Sequence, residues 1–180
     1  MSVRLIMIFF LTITCTLVYS PGLGGNIDIG ASPVQYLKAH KNIEAFTAMV
    51  NSFELYEALL QDVYEIKNNR IPLHGESARE ATDFLSAGFS EELAQNIVET
   101  YMQWNPELQK MVIIPCDGIP TISAGEINTI TCSQADGNMV VFQRRYDDCY
   151  MQGDCYIYSI TLKNYPTGWK IEELDLDESN

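Results

Sequence analysis

Lysine and arginine are scarce in this 180-residue chain, eleven against 24 aspartates and glutamates, and the formal net charge is −13. Nucleic acid is thereby excluded as a partner, and so is an anionic lipid surface, because contacts to phosphate need clustered bases. Histidine occurs only as His40 and His74, neither within a motif that would make it a general base, so a capping or solvated role is expected of each. No C-x-x-C is present. The cysteines after residue 20, Cys116, Cys132, Cys149 and Cys155, have spacings that suit neither a zinc ribbon or finger nor a redox pair. The aspartates of CDGIP, ADGN and LDLDES do not reproduce the oxygen-ligand loop of a calcium site, and turn chemistry and solvation account for them. No metal and no other cofactor is expected.

Long apolar runs are also lacking, with one exception. Leu5 to Val18 is nearly unbroken and follows Arg4, but it is short of the roughly 20 residues that span a bilayer. Residues 1–20 are therefore read as a secretory signal peptide, and the protein as exported, periplasmic or extracellular. Pro21 after Ser20 would hinder the peptidase, which leaves the cleavage point open by several residues. Membrane attachment is expected only if that peptide is retained or Cys15 is lipidated, and Thr14 departs from the lipoprotein motif. Residues 21–31, PGLGGNIDIGA, have the composition of a flexible linker. Residues 32–176 suffice for one domain with a core, and 177–180 form an acidic tail.

The first half of that domain has helical periodicity. Ser32-Pro33-Val34-Gln35 reads as a helix start, and apolar residues from Val34 through Phe46, Phe53 and Leu60 to Ile66 recur at helical spacing. One long helix, or two in series, is expected to end at Asn68-Asn69. Ser77 with Glu80 predicts a second start, for a helix through Leu85, and Ser90 caps a third whose face runs from Leu93 to Trp104. After Pro106 the period becomes two, predicting strands over 110–114, 126–133, 138–148, 155–164 and 169–176. The fold class is α+β, with N-terminal helices on a curved antiparallel sheet.

YDDCYMQGDCYIY, Tyr146 to Tyr158, predicts a three-residue loop Met151-Gln152-Gly153. In that register Cys149 faces Cys155 at a separation a disulfide accepts. Tyr146 then pairs with Tyr158 and Arg144 with Ile160, on one face with Asp148. A similar ADG loop puts Cys132 on that face too, away from Cys149 and Cys155, which favours Cys116 with Cys132. An even cysteine count behind a signal peptide thus predicts two staples, Cys149 to Cys155 and Cys116 to Cys132.

Phe84-Leu85-Ser86, Phe89-Ser90 and Leu93, followed by the closing strand Gly168-Trp169-Lys170-Ile171, resemble exported members of the nuclear transport factor two-like superfamily, the cone-shaped fold shared with ketosteroid isomerase and scytalone dehydratase. The resemblance spans roughly Ser32 to Leu176. It implies a cone-like domain whose sheet and helices enclose a pocket used for catalysis, ligand binding or protein contacts. Arg144, Tyr146, Asp148 and Tyr158 are then the candidate pocket residues, since aromatic walls with a few convergent polar groups suit a ligand. The alternative is that Arg144 and Asp148 pair with each other or with water while the tyrosines pack.

No catalytic constellation accompanies these residues. The expectation is a disulfide-stabilised, exported binding domain without catalysis, whose partner is a protein or a small apolar ligand; a homodimer is compatible with it. Two rivals stand beside it. One is a small-molecule isomerase, dehydratase or hydrolase with a buried acid in the cone. The other is an acidic inhibitor or immunity-type protein that blocks a basic partner.

Overall fold

The computed structural model describes residues 33–147 and 154–178, and these fall within one compact unit. Helix α1 spans Pro33–Gln61. It stops short of Ile66 because Val63–Ile66 (β1) turns back on Asn69–Pro72 (β2) as a hairpin. Lys67 and Asn68 both have positive φ, 49° and 63°, the two-residue turn whose twist matches a hairpin. Val63 and Ile66 keep helical spacing with the residues before them, yet β-branched and aromatic residues from Val63 to Ile71 suit a short ladder.

Helix α2, Ala78–Leu85, opens on the expected capping box: Ser77 Oγ accepts from Glu80 N–H and the Glu80 carboxylate accepts from Ser77 N–H. Helix α3, Glu91–Tyr101, is capped by Ser90, whose Oγ accepts from Leu93 N–H. It ends before Trp104. Met102–Asn105 (β3) leaves the helix as a strand and pairs with Lys110–Ile113 (β4), so Trp104 is an exposed strand residue, half of its surface open.

Residues 126–129, expected to begin a strand, fall instead in a 3-10 turn, Ala124–Thr129. The meander that follows has four strands in sequence order, β5 Ile130–Asp136, β6 Met139–Asp147, β7 Cys155–Tyr165 and β8 Gly168–Glu178. The class is therefore α+β, with one four-stranded antiparallel sheet and two two-stranded hairpins among the described residues.

The expected registers are each displaced by two residues. Ile130 pairs with Arg144 instead of Phe142, and Arg144 pairs with Tyr158 instead of Ile160. An even displacement leaves every side chain on its expected face, because alternation fixes parity and the turn fixes register. The last described pair between β6 and β7 is Asp147 with Cys155, and the expected loop Met151-Gln152-Gly153 lies outside the described residues. One core unites Met49, Phe53 and Leu59 of α1, Leu85 and Phe89, Ile97 and Val98 of α3, and Phe142, Tyr158, Ile160 and Ile171 of the sheet.

Two segments quoted from the sequence meet at the edge of this core. Phe89 bridges Ile171 in parallel, with Ser90 N–H donating to the Ile171 carbonyl at 2.8 Å and Ile171 N–H to the Gly88 carbonyl at 2.9 Å. The chain between α2 and α3 is thus stitched to β8.

Candidate functional site

Phe142, Arg144 and Tyr146 alternate along β6 and point to the same side of the sheet as Cys132, Ile130, Tyr158 and Ile160. Ile130, Arg144 and Tyr158 lie directly across from one another on three adjacent strands. Three of the four candidate pocket residues, Arg144, Tyr146 and Tyr158, therefore share a face. Asp148 lies outside the described residues, and Arg144 has a different acid.

That acid is Glu126. Arg144 Nη1 donates to Glu126 Oε1 from the 3-10 turn, and the guanidinium carbon stands 4.7 Å from the centre of the Tyr146 ring. The other oxygen, Glu126 Oε2, accepts from Ser123 N–H at 2.8 Å and Ser123 Oγ at 3.0 Å. The Ser123 contact first, and then Arg144, hold the Glu126 carboxyl below the usual carboxylate range. A carboxylate so held is a weak proton acceptor.

Beside this pair is an apolar cleft of about 190 Å³, lined by Asn42, Ile43 and Phe46 of α1, Ile127 of the 3-10 turn, and Ile130, Cys132 and Phe142 of the sheet. Phe46 and Phe142 meet edge to face at 5.8 Å and form its floor. Ile43 and Ile127 remain about half exposed at its rim, 56% and 48%, an arrangement that leaves apolar surface in water unless something covers it. Cys132 is an exposed residue, but its thiol is partly enclosed, and that burial raises its pKa and keeps it neutral. Among the described residues the lining contains no Asp, Glu or His.

Deeper in the core, Tyr56 of α1 and Tyr101 of α3 meet edge to face at 5.7 Å, and Tyr56 Oη accepts from Ile119 N–H at 3.1 Å. Tyr158 is 2% exposed and its hydroxyl has no hydrogen-bond partner among the described residues. Burial pushes its pKa well up, and the nearby phenols of Tyr146, Tyr56 and Tyr101 add to the rise. Tyr158 therefore stays neutral and lines the core, not the cleft.

The expectation of disulfide stabilisation is overturned. Cys116 and Cys132 are exposed free thiols and Cys155 is a buried one; Cys149 lies outside the described residues. The registers give the reason. Cys155 stands opposite Asp147, to whose carboxylate its thiol donates, and Cys132 stands opposite Phe142 on an edge strand. Cys116 follows β4 in a segment without regular structure, its Sγ 3.2 Å from the Ile114 carbonyl.

His74 stacks on Phe84 at 4.6 Å and lies 3.4 Å from Asp62, away from the cleft. His40 lies on α1 ahead of the first described side chain, Asn42. Among the described residues, no three His, Cys, Asp or Glu side chains gather as a metal site, and no helix is long and apolar enough to cross a membrane. No family model matches the sequence, and no curated protein matches it.

Sequence reasoning missed the rim, Ile127, and the partner, Glu126. One signal for both was present: Ser123 and Glu126 repeat the Ser77 and Glu80 spacing, the mark of a helical turn where β-branched residues suggested a strand.

Proposed function

We propose that this domain binds a small apolar ligand in the cleft between α1 and the sheet. The observation that carries the reading is the cleft's composition: two core aromatics as a floor, isoleucines at the rim and a neutral thiol in the wall. Its volume is below the ~300–1,000 Å³ of drug-sized sites, so the ligand is a single ring or a short alkyl group.

The same proposal includes a cone-like placement of the helices on a curved sheet, as in the nuclear transport factor two-like superfamily, and export behind a signal peptide over residues 1–20. The contact of Phe46 with Phe142 and the bridge between Phe89 and Ile171 support the first. The apolar run after Arg4 supports the second.

Isoleucine δ1-methyl NMR tests the binding reading, because three isoleucines line the cleft. Hexan-1-ol titrated into the protein is expected to move the methyls of Ile43, Ile127 and Ile130 and leave those of Ile71 and Ile171 in place. Shifts scattered over the surface, or none, would end it.

A further inference from the structure

We propose that the ligand of this cleft is a short apolar carboxylic acid whose tail lies on Phe46 and Phe142 and whose carboxylate takes Arg144 in competition with Glu126. The inference rests on the cleft being a binding site, and extends it from an apolar tail to a charged head.

Position is the first support. Arg144 follows Phe142 on the same side of β6 and pairs across the ladder with Ile130, and both neighbours line the cleft. Directly opposed side chains on paired strands are about 5 Å apart at Cβ, so a head group leaving the apolar floor toward the 3-10 turn meets the guanidinium. That side chain is only 23% exposed, and partial desolvation strengthens its attraction for an anion. The Tyr146 ring beneath it fixes the plane of a fork that matches a carboxylate.

The second support is the occupant already there. Glu126 is a carboxylate on Arg144, carried by the residue next to Ile127 of the rim, so the place accepts that chemistry. Exchange leaves neither acid stranded. When Glu126 Oε1 gives up Arg144, Oε2 retains Ser123 N–H and Oγ, and the carboxylate, 30% exposed, gains water.

Other head groups fit less well. A cationic head is repelled by Arg144 and would have to take Glu126 from it, and a neutral head can accept from the guanidinium but cannot match its fork with the two parallel ion-pair bonds that a carboxylate makes.

Hexanoate, hexan-1-ol and hexylammonium, titrated separately at pH 7 into the full chain and followed by the Ile127 and Ile130 methyls, test this. Hexanoate is expected to bind about tenfold more tightly than hexan-1-ol, and hexylammonium more weakly than either. Arg144→Gln is expected to remove the preference for hexanoate over hexan-1-ol. Glu126→Gln, which removes the competing charge, is expected to tighten hexanoate several-fold and so to widen its preference over hexan-1-ol. Equal affinities of hexanoate and hexan-1-ol for the native chain overturn the proposal whether or not Arg144→Gln folds, and so does a Glu126→Gln protein that binds hexanoate no better. If hexan-1-ol itself does not bind, the cleft reading fails and this one with it; if hexan-1-ol binds without preference for hexanoate, only this one fails.

Discussion

Ser52 and Gly88, thirty-six residues apart, are in direct contact: Ser52 Oγ lies 2.8 Å from the Gly88 carbonyl oxygen and 2.7 Å from that of Ala48. A hydroxyl has one proton and serves one of them at a time. The same Gly88 carbonyl accepts from Ile171 N–H, so one peptide group ties α1 to β8 through the chain between α2 and α3. A Cβ at position 88 would lie 2.5 Å from Ser52 Oγ, 2.8 Å from its Cβ and 2.9 Å from its Cα. Gly88→Ala is therefore expected to cost about 1–3 kcal/mol, as overpacking does. Ser52→Ala in that background relieves only the Oγ contact, so urea unfolding of the double variant is expected to recover less than half. Full recovery would show that α1 can move aside.

Tyr158 and Tyr56 offer a matched pair. Tyr158 buries a hydroxyl without a described partner, whereas Tyr56 Oη holds the Ile119 amide. An unsatisfied buried polar group costs about 1–3 kcal/mol, and a satisfied one contributes about 1 kcal/mol. Tyr158→Phe should thus be neutral or stabilising and Tyr56→Phe destabilising by about 1 kcal/mol, so the urea midpoint should fall in Tyr56→Phe and hold or rise in Tyr158→Phe. A clear loss of stability in Tyr158→Phe means its hydroxyl has a partner in solution.

Local chemistry was legible in the sequence and long-range alignment was not. Ser77, Glu80 and Ser90 announce helix starts because a cap is made within four residues. Alternation along Val140, Phe142, Arg144 and Tyr146 announces a face, but an even slip satisfies it equally well, so Arg144 was matched with Ile160 where it faces Tyr158. Trp104 and Ile66 continue a helical pattern into strands, since four-residue hairpins carry too few positions to show their own period. The cysteine count suggested pairs, but a count does not bring Cys116 to Cys132. At the site, Arg144, Tyr146 and Tyr158 share the expected face, while the cleft beside them draws Ile43, Ile127 and Cys132 from three separate elements, which only the fold assembles.

Thiol accessibility follows from the same geometry. Cys116 and Cys132 are exposed and Cys155 is buried, so native alkylation with iodoacetamide should modify Cys116 before Cys155. Cys132, neutral and partly enclosed in the cleft, should react more slowly than Cys116, because the thiolate is the nucleophile. Peptide mass mapping reads the order. Rapid modification of Cys155 in the folded protein would contradict its placement on β7.

The β1–β2 turn is open to improvement. Lys67 and Asn68 hold left-handed φ, a conformation that costs a lysine more than a glycine or asparagine. Lys67→Asn with Asn68→Gly supplies the pair such turns favour, and relief of the left-handed strain is expected to outweigh the entropy that glycine adds to the unfolded chain. Asn69, whose Nδ2 donates to the Ile66 and Lys67 carbonyls, is left in place. Thermal unfolding should show a rise in midpoint; an unchanged midpoint would mean that the turn carries no strain.

Glu76 joins the two hairpins. Its carboxylate accepts from Lys110 of β4 and Tyr64 of β1, while its backbone carbonyl accepts from Met111 N–H at 2.8 Å. Lys110 first, and then Tyr64, hold its pKa below the ordinary value of 4.5. For an acid whose folded pKa is depressed, the stabilisation is complete above the unfolded pKa and is lost as pH falls through the folded one. The contribution of Glu76 is therefore present at neutral pH and fades below about pH 4.5. It is confined to the surface and weakened by salt. Glu76→Gln should lower the urea midpoint at pH 7 and lower it less at pH 3, below the pH at which the contribution begins to fade. An equal loss at both pH values would show that Glu76 acts through its backbone and packing, with its charge contributing nothing.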